Sequence, residues 1–101
     1  MTEKEDGRSE RKFIILDEEK DNVAVALVDL PSGSDIEFDE TKIHLKEDVP
    51  FRMKISIKYI KKGESVIKDG LRIGYALENI DPGCVVHVHN LASERSREWK
   101  Q

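Results

Sequence analysis

His87 and His89 stand two positions apart in the stretch GCVVHVHNL, residues 83–91. On a strand, side chains alternate between faces, so the two imidazoles share one face and Val86 and Val88 take the other. A pair of imidazoles on one face can share a metal ion such as iron or zinc. Their titration near neutrality also suits proton transfer. A metal site needs at least a third ligand, and VHVHN supplies none locally, so the same pattern equally describes a polar strand face over a valine core. Cys84, the single cysteine, directly follows Gly83. A thiol beside two histidines is a candidate ligand or nucleophile, but its place at a turn reads as a small, buried or half-buried residue. His44, in KIHL, reads as a half-exposed strand residue.

The composition limits which functions these groups can serve. The chain of 101 residues is one domain, large enough to bury roughly two-thirds of its surface without disulfide help. Its net charge of −4 argues against a nucleic-acid module, and the cluster Lys58, Lys61 and Lys62 is too small to reverse that. No apolar run reaches the length of a membrane span, and no signal-peptide pattern opens the chain. A lone cysteine excludes an internal disulfide and fits a reducing cytoplasm. Residues 1–12, MTEKEDGRSERK, read as a disordered charged arm, and 92–101 as a charged tail whose Trp99 belongs to a frayed turn or a docking segment. The run DEEKD, 17–21, reads as a solvated loop rather than a cation site.

The elements that must carry the histidines are short and β-rich. FIIL, NVAVALV, DIEF, KIHL, FRMKISI, SVIK, RIGYAL and CVVHVH alternate with the turn formers LPSGS, KKGES, KDG and DPGC. No segment keeps a helical period, so the chain is predicted to be all-β. A pattern also recurs in ALVDLPSGSDI (26–36), SIKYIKKGESV (56–66) and ALENIDPGCVV (76–86). Each copy leads from Leu or Ile through a tight turn to glycine and on to an aliphatic residue. Gly33, Gly63 and Gly83 suit a turn that needs positive φ, with Pro31 and Pro82 pre-setting it. Leu30, Ile60 and Ile80 are expected to enter a shared core.

Three segments together, DNVAVAL (21–27), VIKDGLRIGYAL (66–77) and VHVHN (86–90), resemble the amino-terminal domain of the altronate and galactarate dehydratases. The resemblance covers roughly residues 13–91. It implies a compact SAF-type β-clip domain of many short strands, here as a separately encoded small subunit acting with a large catalytic subunit. The implied chemistry is β-elimination of water from a sugar acid to a 2-keto-3-deoxy acid, usually with ferrous iron. That needs a base for the proton α to the carboxylate and an acid for the departing hydroxyl.

Carried onto this chain, the resemblance implies His87 and His89 as catalytic groups and shared iron ligands, with Asn22, Lys68 and Asn90 binding substrate. The small subunit of (2R)-sulfolactate sulfo-lyase is a sibling. A carbohydrate- or partner-binding module without catalytic duty, or a chain that only stabilises or gates its large partner, also fits. A domain this small offers no enclosed cleft of its own, so the isolated chain is expected to be inactive. Relatives often carry Gly-His-Lys where this chain has Arg52-Met53-Lys54, and Lys-Tyr-Gly where it has Lys68-Asp69-Gly70. These departures leave the fold expectation intact and the substrate open.

Overall fold

A computed structural model describes residues 11–93, so the charged arm up to Glu10 and the tail from Glu94, with Trp99, lie outside the described residues. The described chain is all-β. Its strands are β1 (Phe13–Ile14), β2 (Val23–Ala26), β3 (Asp35–Phe38), β4 (Thr41–His44), β5 (Lys54–Ser56), β6 (Ser65–Lys68), β7 (Leu71–Ala76), β8 (Val85–Val86) and β9 (Leu91–Ser93). Every β-rich run of the sequence contributes one strand. β9 is an addition, reaching Ser93 and pairing antiparallel with β7. All pairings are antiparallel, in a four-stranded sheet ordered β1-β2-β5-β8, a β3-β4 hairpin, and a three-stranded sheet ordered β6-β7-β9.

The glycine turns occupy equivalent settings, and among the described residues there are four such turns rather than three. They are Pro31–Ser34, Pro50–Met53, Lys61–Glu64 and Asp81–Cys84. In each, the fourth residue's N–H donates to the first residue's carbonyl, at 3.2, 3.0, 2.9 and 3.3 Å respectively. The third residues, Gly33, Arg52, Gly63 and Gly83, have φ of +90°, +78°, +89° and +93°. Each third residue also donates to a carbonyl across the fold, on Leu45, Ala26, Ala76 and Ser56, and that partner's N–H returns a bond to the fourth residue's carbonyl. Positive φ at the third position is the type II requirement that favours glycine. Pro82 occupies the second position, where its fixed φ helps, whereas Pro31 opens its turn. Gly83 carries a second constraint: a Cβ there would collide with the His44 carbonyl.

The aliphatic residues ahead of the turns pair off, Leu30 with Val49 and Ile60 with Ile80. The chain is therefore a doubled unit. Residues 30–49 enclose the β3–β4 hairpin, and residues 60–80 enclose the β6–β7 hairpin. The expected shared core is accordingly two cores. Leu30, Ile36, Ile43, Leu45, Val49 and Ile55 lie in one, while Ile60, Val66, Ala76 and Ile80 lie in the other. The four-stranded sheet runs between them. In β8, strand alternation sends Val85 to the first core and Val86 to the second.

Candidate functional site

The strand predicted through His89 stops at Val86. His87 to Asn90 form a turn, closed by the Asn90 N–H donating to the His87 carbonyl at 3.0 Å. The cause is Asn90, whose side chain is 3 % exposed. Its Oδ1 accepts the His87 N–H and its Nδ2 donates to the Val85 carbonyl, both at 2.9 Å. An asparagine side chain thus takes bonds that a neighbouring strand would otherwise make. His87 and His89 are exposed at the surface of this turn, and Val88, placed by alternation on a core face, is 75 % exposed. Both ends of the Asn90 amide are occupied by backbone.

Asn22 is engaged in the same manner. Its Nδ2 donates to the Ser65 carbonyl at 2.9 Å and its Oδ1 accepts the Ile67 N–H at 2.8 Å. It therefore fastens β6 to the start of β2. Beside it lies a group that reading by composition missed. Asp21, the last residue of the charged run, is 1 % exposed. Its carboxylate accepts the N–H groups of Asp17, Asp69 and Gly70 at 2.8–2.9 Å. Burial by itself raises the Asp21 pKa. The three backbone donors, with the Lys68 charge, outweigh that and hold the carboxyl below its ordinary value. The clamp fixes the Asp69-Gly70 turn and hence the end of β6, where Lys68 sits.

Lys68 lines a cleft of about 500 Å³ with Arg52 and Lys54. Phe51, Leu16 and Leu27 supply part of an apolar wall. Among the described residues no carboxylate lines this cleft, and none of its three cations forms an ion pair. Burial lowers the Lys54 pKa below the ordinary lysine value, and the charge of Lys68 lowers it further. The Arg52 guanidinium lies 5.1 Å from the centroid of the Phe51 ring. A larger hollow, of about 590 Å³, sets Arg11, Lys12 and Lys42 against Glu18, Asp35 and Glu37. Its charges cancel, so the smaller cleft has the stronger preference for an anion.

The structure thus brings Lys68 together with Arg52 and Lys54, which the sequence marked only as part of a departure from relatives, while Asn22, His87, His89 and Asn90 are not among the residues lining the cleft. Cys84 is half-buried; burial raises its thiol pKa, Glu47 and Asp81 add to this, and a reactive thiolate is disfavoured. His44 is exposed on β4, its Nδ1 2.8 Å from the Asp35 carboxylate. Among the described residues no three His, Cys, Asp or Glu side chains gather as a metal site, so His87 and His89 do not make an iron centre with partners from this chain's described residues. Among the described residues no helix is long and apolar enough to cross a membrane.

Comparison with known proteins matches residues 11–94 to the family described as the altronate/galactarate dehydratase SAF domain. The altronate dehydratase of Escherichia coli (strain K12) is 46% identical over 76 residues, which are 75% of this chain and 15% of that protein. The altronate dehydratase of Bacillus subtilis (strain 168) is 34% identical over 85 residues, 84% of this chain and 17% of that protein. The (2R)-sulfolactate sulfo-lyase subunit alpha of Paracoccus pantotrophus is 33% identical over 54 residues, 54% of this chain and 81% of that protein. The chain thus spans under a fifth of the length of the two altronate dehydratases it matches. With a described fold that is all-β and a family match over nearly all of it, the chain belongs to the altronate/galactarate dehydratase SAF domain family.

Proposed function

We propose that this chain is the small component of a sugar-acid dehydratase and supplies the acid-binding part of a site completed by a large catalytic domain. The observation that carries this reading is the cleft of Arg52, Lys54 and Lys68, with no carboxylate among the described residues of its lining, on a chain of net charge −4. Such a cleft selects a carboxylate, and the selection strengthens when a docked domain excludes water. In a β-elimination, these cations would hold the substrate carboxylate and stabilise the charge that develops there when the α-proton leaves. His87 and His89, exposed on the turn after β8, are the imidazoles this chain can present to a docked domain. With no three ligating side chains together among the described residues, iron in the complete enzyme would need ligands beyond these residues.

The test is complementation. The altronate dehydratase of Escherichia coli, produced without the segment that this chain matches, is assayed with ferrous iron on altronate, galactarate and sulfolactate, with and without this chain. Formation of a 2-keto acid is expected only when both are present. Turnover by this chain alone, or full turnover without it, overturns the reading. Glutamine at both histidines is expected to lower the reconstituted rate at least about tenfold, roughly 1.4 kcal/mol of barrier.

A further inference from the structure

Within the repeated turn, three copies place glycine at the left-handed position and the fourth places Arg52 there, at φ +78°. Side chains with a Cβ are disfavoured in that conformation. Backbone strain kept at the edge of a cleft points to a use for the side chain that imposes it. The guanidinium rests over the Phe51 ring at 5.1 Å. Stacking orients the group and leaves its planar fork of donors for a two-oxygen acceptor. Lys54 and Lys68 line the same cleft, and the charge of one acts on the other. Two like charges in a half-buried place repel, and an anionic group between them relieves the repulsion. Three cations, of which Lys68 also feels the Asp21 carboxylate, exceed what a single carboxylate needs.

Building on the acid-binding reading above, we propose that the cleft is a site for a small organic dianion. Lys54 and Lys68 share one anionic group, and Arg52 takes the second through its bidentate fork. Arg52 is then the residue that separates dianionic from monoanionic hydroxy acids. The second group is a carboxylate or a sulfonate, since both present two oxygens to a guanidinium.

Titration calorimetry on the whole chain tests this, with galactarate as the dicarboxylate, sulfolactate as the carboxylate–sulfonate and altronate as the monoanion. At least one dianion is expected to bind about tenfold or more tighter than altronate, the factor one added charged contact typically supplies. Which of the two binds identifies the second group. Arg52→Gly, which relaxes the backbone and so keeps the fold, is expected to bring dianion and monoanion within about threefold of each other. Arg52→Lys restores only part of the preference, because it returns the charge without the fork. Lys68→Met weakens all binding.

Altronate binding as tightly as both dianions, or a preference that survives Arg52→Gly, overturns the proposal. So does a cleft that no small acid saturates while Arg52→Gly weakens assembly with the large domain, which would make it a protein-docking surface. Binding to the chain needs no turnover, so the two readings can fail separately. Failed complementation with the dianion preference intact removes only the dehydratase reading. Restored turnover without that preference removes only the dianion site.

Discussion

The two halves of the doubled unit share a topology and differ in how their hairpins are held. The β3–β4 hairpin turns through Asp39 and Glu40, at φ +50° and +65°, and the β6–β7 hairpin through Asp69 and Gly70, at +57° and +74°. Both are two-residue turns with positive φ at each central residue, the type I′ geometry that matches strand twist. The first turn has no carboxylate bonded to its N–H groups among the described residues. The second is gripped by the buried Asp21, with Asn22 fastening the strand ahead of it. What the second hairpin carries and the first lacks is Lys68 in the cationic cleft. The difference teaches that the Asp21-Asn22 pair is positioning machinery, since the repeat holds a hairpin of the same form without it.

Removing the clamp should give the largest effect. Asp21→Ala leaves three backbone donors unsatisfied at a site that is 1 % exposed. We expect a loss of about 3 kcal/mol or more in urea unfolding, from three backbone hydrogen bonds to one ionised carboxylate. The pH dependence follows from the sign of the shift. The folded-state pKa lies below the ordinary 3.8, so the stabilisation is complete well above that value. It is lost as pH falls through 3.8 toward the folded-state pKa. Asp21→Asn should flatten the stability–pH curve in that acid window relative to the unaltered chain. Identical acid slopes would show that the clamp is not what Asp21 provides.

Asn22→Ala is expected to cost less, about 2 kcal/mol, because only the Ser65 carbonyl and the Ile67 N–H lose partners at a half-buried place. It sharpens the comparison through its second readout. If Asn22 only holds β6, anion binding in the cleft should weaken in step with the disorder of β6, and amide exchange at Ile67 should rise. Weaker binding with unchanged exchange would instead make Asn22 a direct substrate contact.

These contrasts also show which parts of the molecule were legible in its sequence. Strands and glycine turns are local: a β-branched run or a glycine at a turn's third position carries its own signal. The fourth turn escaped because Arg52 fills the glycine position of Val49-Pro50-Phe51-Arg52-Met53, although the aliphatic residue ahead of it fits the repeat. The alternation that put His87 and His89 on a strand was sound as a pattern. It was overridden by one buried side chain, Asn90, whose bonds replace the ladder. Asp21 was hidden by its company, since four exposed or half-buried residues precede it in the charged run. The cleft draws on residues 14 and 16, 25–27, 51, 52, 54 and 68, which only the folded register brings together.

The first hairpin can be made to resemble the second. Glu40→Gly gives Asp-Gly, the pair already present at residues 69 and 70. Relief of a left-handed non-glycine residue outweighs the added freedom of the unfolded chain, so a gain of about 0.5–1 kcal/mol is expected. Thermal unfolding reads it. A loss instead would mean that Glu40 makes a contact worth more than its strain.

Arg52→Gly should give the smallest change in stability, because two terms nearly cancel. Glycine removes the strain at φ +78°, where the other three turns already use it. It also removes the guanidinium from above the exposed Phe51 ring, a contact worth about 0.5–1 kcal/mol at such a site. The remainder is a gain of about 0.5 kcal/mol or less. Glu40→Gly, with no stacked partner to lose, should gain more, and the difference between the two variants measures the stacking contact. If Arg52→Gly stabilises as much as Glu40→Gly, the guanidinium contributes nothing on Phe51 and is not oriented by it. If Arg52→Gly destabilises, the arginine is kept for structure. Only a small gain in stability accompanied by loss of the dianion preference matches a residue held in strain for what it binds, where function and stability pull in opposite directions.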